Sequence, residues 1–312
     1  MTSRLSAIAI GAILACASHV AASQTITVAQ QGNGNTASAE QVTPAPVPIF
    51  DPSATTASIT QIGNNNHVGG PGATSGGIFQ NVFPYGAIAV VSQTGTGNNA
   101  GITQDGRPGP NPPPVQARIT QRGNGNDAAI TQTDAVSNYI NVDQNGSGNL
   151  ARLRQVGSGD ASLRITQNGT GNTASVDHLN SSHGGPEVSQ TGDRNTVSIF
   201  ADNVLGPGAS ITQDGSMNNA SVLIDTDSML TLSQQGVGNV VNASESGAGY
   251  ADISQKGNYN LASVTQADGL HRASIAQIGN SNSATVTQVR QADYVANVNQ
   301  TGSGNSSNVY QH

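Results

Sequence analysis

The chain's 312 residues include 38 glycines, no tryptophan, four phenylalanines and six tyrosines; only 9% are charged, and the formal net charge is −7. Leu, Ile, Val and Phe make up about a fifth of the chain, near the level at which burial no longer offsets chain entropy, while 32 asparagines and 25 glutamines fill the gap. This argues against a pocket lined by large aromatics and against a coiled coil, which needs abundant Leu, Glu and Lys. A disordered polar tract remains, or a thin structure held by amides.

The first element is a short basic start at Arg4, an apolar run from Leu5 to Ala17 and the small residues Val20, Ala21 and Ala22. That is the layout of a secretory signal peptide, so residues 1–22 are predicted to be removed, leaving a mature chain from Ser23 with net charge −8. Ile13, Leu14, Ala15 and Cys16 roughly fit a lipid-attachment motif, but Leu14 is bulky for its place and the apolar run before Cys16 is cramped. Cys16 is the only cysteine, so a mature chain without disulfides must draw stability from repetition. One lysine, Lys256, and scattered arginines form no basic stripe, which argues against nucleic acid as a partner.

Beyond the leader a hexad, Gln-x-Gly-x-x-Asn, recurs twelve times. Its glutamines are Gln30, Gln61, Gln93, Gln121, Gln144, Gln167, Gln190, Gln213, Gln234, Gln255, Gln277 and Gln300. Its glycines are Gly32, Gly63, Gly95, Gly123, Gly146, Gly169, Gly192, Gly215, Gly236, Gly257, Gly279 and Gly302. Its asparagines are Asn35, Asn66, Asn98, Asn126, Asn149, Asn172, Asn195, Asn218, Asn239, Asn260, Asn282 and Asn305. From Gln121 onward the starts are 21 to 23 residues apart; before it they are 28 to 32. The chain thus divides into residues 23–116, where insertions occur, and a regular array over residues 117–312.

Two residues before each hexad glutamine stands Val, Ile or Leu; seven after it stands Ala in eight copies, and eleven after it a second Gln in seven, such as Gln104 and Gln266. Spacings of two on both sides of the glycine predict two strands, each with one buried face, joined by a tight arc. The glycine supplies positive φ for the reversal. Buried amides would cost several kcal/mol if unpaired, but stacked copies place each amide over the next, so that donor meets acceptor. The predicted fold is all-β: a solenoid of stacked strand-arc-strand repeats, about 22 residues per turn, with two facing parallel sheets. Eleven of the thirteen prolines lie in three inserts, residues 42–56, 69–86 and 105–116, and Pro186 and Pro207 fall in turns between repeats, as ladder hydrogen bonding in every strand requires. No cap sequence flanks the repeats, so both end strands are expected to recruit other chains.

These residues resemble the curlin subunits, whose repeat is written S-x5-Q-x-G-x-G-N-x-A-x3-Q. Residues 121–132 and 93–104 fit that pattern from first Gln to last. The resemblance implies a secreted subunit that polymerises into extracellular amyloid fibres at the bacterial surface, used in adhesion and biofilm matrix. It also implies a homopolymer, passage through an outer-membrane secretion channel, and a homologous nucleator or co-subunit as partner, with no cofactor and no small-molecule substrate. Three features depart from the family: the leading Ser is nearly absent (Ser228 is one instance), the repeats are more numerous, and only residues 23–25 stand where an export-targeting segment is usual. Residues 155–160 form a thirteenth hexad, out of phase and ending in Asp160; near Arg152, Arg154 and Arg164 it reads as a solvated charged turn or as a brake on stacking.

Two other function classes make different demands on the sequence. A β-helix acting on polysaccharide needs clustered carboxylates with Lys or Arg on one face, whereas the acids here are spread singly. The histidines His67, His178, His183, His271 and His312 show no ligand spacing and read as surface residues. A binding module has more support: Ser or Thr precedes the hexad Gln in eight copies, including Thr60, Thr166, Ser189, Thr212, Ser233 and Ser254, which would form an outward hydroxyl ladder suited to ice or another surface. The same residues also simply suit an exposed strand position, and Asp143, Asn299, Arg118 and Glu187 interrupt the face.

Overall fold

A computed structural model describes residues 24–42, 55–69, 77–81, 86–106, 115–206, 208–290 and 293–312. The leader over residues 1–22, with Cys16, lies outside them, as do most of the three inserts. Every regular element among the described residues is a β-strand. Contacts divide the chain into two units, Met1–Val156 and Gly157–His312.

In the first unit, the strands Gln24–Gln31, Thr55–Asn64, Ala87–Thr96, Val115–Asn124 and Tyr139–Ser147 form one parallel sheet in sequence order. The strands that follow each arc, including Asn99–Asp105, Asp127–Thr133 and Leu150–Val156, form a second parallel sheet. The second unit repeats the plan. Its first sheet is Ser162–Thr170, Glu187–Asp193, Ala209–Ser216, Met229–Val237, Tyr250–Asn258, Arg272–Asn280 and Val295–Thr301. Its second is Thr173–Leu179, Thr196–Asp202, Asn219–Asp225, Val240–Ser246, Leu261–Ala267, Ser283–Val289 and Ser306–Gln311. Each unit is therefore a β-solenoid, one strand-arc-strand repeat per turn, with Gln paired to Gln and Gly to Gly in register.

Alternation decides which residues enter the core. In Val115–Asn124, Val115, Ala117, Ile119 and Gln121 are buried while Arg118 is exposed. Across the second unit, Ile165, Val188, Ile211, Leu232, Ile253 and Ile275 stack as one fully buried column. On the facing sheet Ala174, Ala220, Ala262 and Ala284 are buried without any exposed surface, and their small side chains leave room for the amides beside them. Each buried Ile stabilises by about 1.5–3 kcal/mol. Apolar columns thus share the interior with the amides.

One insert is interrupted by structure. Within residues 69–86, Ile78–Asn81 is a strand, pairing Ile78 with Ile102 and Gln80 with Gln104. It resumes the second strand that His67–Val68 begins, because Val68 pairs with Ala100. Gly77 closes the gap: its carbonyl accepts from Ile102 N–H at 2.9 Å, and Ile78 N–H donates to Ser38 at 3.0 Å. The ladder register is thus the same on both sides of the insertion.

Candidate functional site: amide ladders and open end turns

The arc is tighter than a single glycine reversal. Each hexad glycine has φ between +105° and +125°, yet most sit inside the first strand, as Gly63 does in Thr55–Asn64. A Cβ on Gly32, Gly63, Gly95, Gly123, Gly169, Gly192, Gly215, Gly236, Gly257 or Gly279 would lie 1.9–2.1 Å from the carbonyl oxygen of the next glycine in the column. The requirement is therefore twofold: a left-handed backbone and a close main-chain approach. The reversal itself falls two residues later. There Gly34, Gly97, Gly125, Gly148, Gly171, Gly238 and Gly304 adopt φ of +62° to +72°, and Asn65, Arg194, Met217, Tyr259 and Ser281 take the same left-handed conformation at +53° to +56°. The sequence signal was the second Gly of Gln-x-Gly-x-Gly-Asn, diluted by those five substitutions.

The hexad glutamines form a continuous ladder within each unit. Nε2 of each donates to Oε1 of the next, from Gln30 to Gln144 at 2.6–2.8 Å and from Gln167 to Gln300 at 2.7–2.9 Å. The second hydrogen on Nε2 crosses the arc to a main-chain carbonyl of the opposite strand, as from Gln213 to Thr196 and from Gln255 to Val240. One amide thereby ties two turns and two sheets together.

The hexad asparagines do more. Oδ1 of each accepts both the backbone N–H and Nδ2 of the following Asn, at 2.9–3.2 Å, from Asn35 to Asn149 and from Asn172 to Asn305. Nδ2 also donates to the carbonyl of the next hexad glycine, as from Asn195 to Gly215 at 2.9 Å and from Asn260 to Gly279 at 2.8 Å. An interior Asn therefore joins three successive turns, and all the hexad asparagines from Asn66 to Asn282 are buried.

A third ladder uses the second glutamine. In the first unit Gln41, Gln80, Gln104, Gln132 and Gln155 are linked Nε2 to Oε1 at 2.8–3.2 Å, with Gln80 supplied by the strand inside the insert. In the second unit the ladder runs only over Gln266, Gln288 and Gln311. The same column begins with His178, Ala201, Ile224 and Glu245. His178 is 1% exposed, so reading it as a surface residue is corrected: its position two residues beyond an inward Val176 carries it inside, and burial pushes its imidazole down to about 4. His271 is likewise buried rather than exposed. Its Nε2 lies 2.8 Å from the Ala267 carbonyl, to which it donates, and its ring stacks on Tyr294 at 5.3 Å, so the ring is covered. His67 meets Thr36 Oγ1 at 2.7 Å, and His312 packs against Tyr310. No group of three His, Cys, Asp or Glu among the described residues is placed to hold a metal.

The out-of-phase hexad over residues 155–160 makes no arc of its own. Gln155 ends the second-strand ladder, and Gly157 and Asp160 are left-handed positions in the turn that follows. Asp160, Arg154 and Arg164 are exposed, and Arg152 reaches Asp127 at 3.6 Å. The outward hydroxyl column does form: Thr166, Ser189, Thr212, Ser233 and Ser254 are paired in register, while in the first unit Asp143 interrupts it and accepts from Asn141 at 2.6 Å.

The two end turns are open among the described residues. Gln24–Gln31 pairs on one side only, with Thr55–Asn64, leaving Ile26, Val28 and Gln30 half-buried. Val295–Thr301 and Ser306–Gln311 each pair only with the turn before them. The free atoms are opposite in kind. Gln30 and Gln41 donate forward and keep Oε1 open; Gln300 and Gln311 accept on Oε1 and keep one Nε2 hydrogen; Asn305 keeps Oδ1 open. Searches against models of known protein families and among curated proteins find no match to this chain.

Proposed function

We propose that this chain is a secreted structural subunit of the curlin kind, which assembles end to end into extracellular amyloid fibres for adhesion and biofilm matrix. The carrying observation is the complementarity of the end turns. Residues 294–312 align with residues 24–42 without an insertion, placing Gln300 over Gln30, Asn305 over Asn35 and Gln311 over Gln41. In a second copy docked on the last turn, Gln300 and Gln311 would donate to Gln30 and Gln41, and Asn35 would donate to Asn305, continuing every ladder with its own polarity. Such a contact is heterologous and does not close, so it propagates as a filament. In this reading the partners are further copies, a homologous nucleator or co-subunit and an outer-membrane channel, and the chain performs no chemical step.

The test is to purify residues 23–312 and follow dye binding and fibre diffraction with and without seeds. Fibres with reflections near 4.7 and 10 Å are expected. Ser307→Lys with Val309→Lys places two charges on half-buried inward positions of the last strand and should abolish elongation while the preceding turns stay folded. A dye-negative wild type without those reflections would refute the reading.

The hydroxyl column from Thr166 to Ser254 supports a second reading, a monomeric module that binds ice or another ordered surface. Thermal hysteresis from a soluble monomer that does not form fibres would establish it instead.

A further inference from the structure

The third ladder resumes in the second unit at a carboxylic acid. Register places Glu245 between Ile224 and Gln266, two residues after an inward Ala243 and level with the glutamines of later turns. Its side chain is 1% exposed, and neither carboxyl oxygen has a hydrogen-bond partner among the described residues. The neighbouring Gln266 donates forward to Gln288 at 2.8 Å, but its own buried Oε1 receives nothing. In the ladder that atom accepts from the preceding turn, as Gln288 does from Gln266 and Gln311 from Gln288. Gly249 walls it closely, since a Cβ there would lie 2.7 Å from it. The orphaned acceptor and the unpartnered acid thus belong to paired residues of one column.

We propose that Glu245 is held in the fold as a neutral carboxylic acid whose O–H donates to Gln266 Oε1, making this turn a proton-operated joint in the solenoid. The inference concerns the folded monomer and does not depend on fibre assembly. When the acid ionises, its proton leaves to solvent, and two acceptors then face each other where the ladder needs a donor.

No charge compensates from the surrounding strands. Asn219–Asp225 contributes Ile224 at this level and carries Asp225 outward; Leu261–Ala267 contributes Gln266 and no ionisable group. Met229–Val237, which precedes Glu245 in the same turn, holds no ionisable side chain. In the adjoining Tyr250–Asn258, Asp252 and Lys256 are exposed and Tyr250 lies under Arg272. In the connecting turns Asp227 and Asp268 are exposed, and the buried His271 is engaged with Ala267. Burial accordingly pushes the Glu245 carboxyl up to about 8.

Because the folded value lies above the ordinary one near 4.5, the contribution is complete below about pH 4.5, declines as pH rises and is lost through about pH 8. The test uses the full chain as monomer, with the Glu245 side-chain carboxyl followed by carbon NMR and amide exchange, corrected for intrinsic rates, followed over residues 240–267. The carboxyl is expected to titrate near 8. From pH 6 to pH 9 those amides should lose protection by about tenfold or more, whereas Glu245→Gln, which supplies a permanent donor, should keep it. A carboxyl titrating near 4.5, or an equal loss of protection in E245Q, overturns the proposal; the NMR titration of the wild type decides it even if the variant folds poorly.

Discussion

Replacing Asn218 with alanine tests the ladder where it is most densely bonded. Asn218 is fully buried. Its Nδ2 donates to Asn195 Oδ1 at 3.1 Å and to the Gly236 carbonyl at 3.0 Å, and its Oδ1 accepts Asn239 N–H at 3.1 Å and Asn239 Nδ2 at 3.0 Å. Alanine removes all four. The partners do not suffer equally. Asn195 Oδ1 keeps the backbone N–H of residue 218, and Asn239 Nδ2 keeps the Gly257 carbonyl, but the buried N–H of Asn239 is left without that acceptor. One orphaned buried donor costs about 1–3 kcal/mol, and each other lost bond about 0.5–1.5 kcal/mol, so Asn218→Ala should destabilise the monomer by about 4 kcal/mol. Asn242, exposed on the outer face of Val240–Ser246, is the control, and Asn242→Ala should change stability by less than about 0.5 kcal/mol. Urea unfolding of the unassembled monomer gives the totals. Because a solenoid can open turn by turn, amide exchange must also show the loss centred on residues 218–239. Equal midpoints for N218A and N242A would refute the claim that amide stacking stabilises the interior.

Other substitutions separate the remaining parts of the arc. Gly215→Ala sets a Cβ 2.1 Å from the Gly236 carbonyl at φ +124° and should cost about 3–5 kcal/mol in urea unfolding, while Gly97→Ala, at φ +68° with no heavy atom near its Cβ, should cost only about 1 kcal/mol. Met217 holds the left-handed reversal position without being glycine, so Met217→Gly should raise the unfolding free energy measured in urea by about 0.5–1 kcal/mol once the entropy of glycine is subtracted. For His178 the folded value near 4 lies below the ordinary 6.5; its contribution is therefore present above about pH 6.5 and is lost as pH falls through about 4, on the order of 3 kcal/mol. Unfolding midpoints at pH 7 and pH 4 should differ less in His178→Gln than in the wild type.

The repeat was legible because three independent spacings agree: the hexad, the apolar residue two before it and the alternation after it. Ile119, Gln121 and Asn126 are placed in the core by parity alone. The strand Ile78–Asn81 was not legible, since the chain between Val68 and Ile78 removes Gln80 from its expected offset and only pairing with Gln104 reveals it. Residue type alone points His178 and His271 to the surface; position in the alternation overrides type for His178, and stacking on Tyr294 does so for His271. The left-handed reversal was obscured for a similar reason, as Arg194, Met217 and Tyr259 carry no signature of positive φ.

The polarity of the third ladder shows why an amide column is difficult to interrupt. Each glutamine donates toward the higher-numbered turn, so a run of them ends with an unused donor and begins with an unused acceptor. Both borders are present. Gln155, the last glutamine of the run in the first unit, keeps a buried Nε2 without a partner, and Gln266, the first of the run in the second, keeps a buried Oε1. Within the second unit's part of the column, Ala201 and Ile224 need no partner and occupy it as ordinary core residues, fully buried, whereas His178 at its start keeps a buried Nε2 without a partner. A column can thus be wholly amide or wholly apolar at little cost, and the penalty concentrates where one becomes the other. At the second border the residue standing in the donor's place is Glu245, the shortest change from glutamine that can still offer a hydrogen, and it offers one only while protonated. The hexad columns of Gln and Asn contain no such border within either unit: each runs donor to acceptor from its first turn to its last.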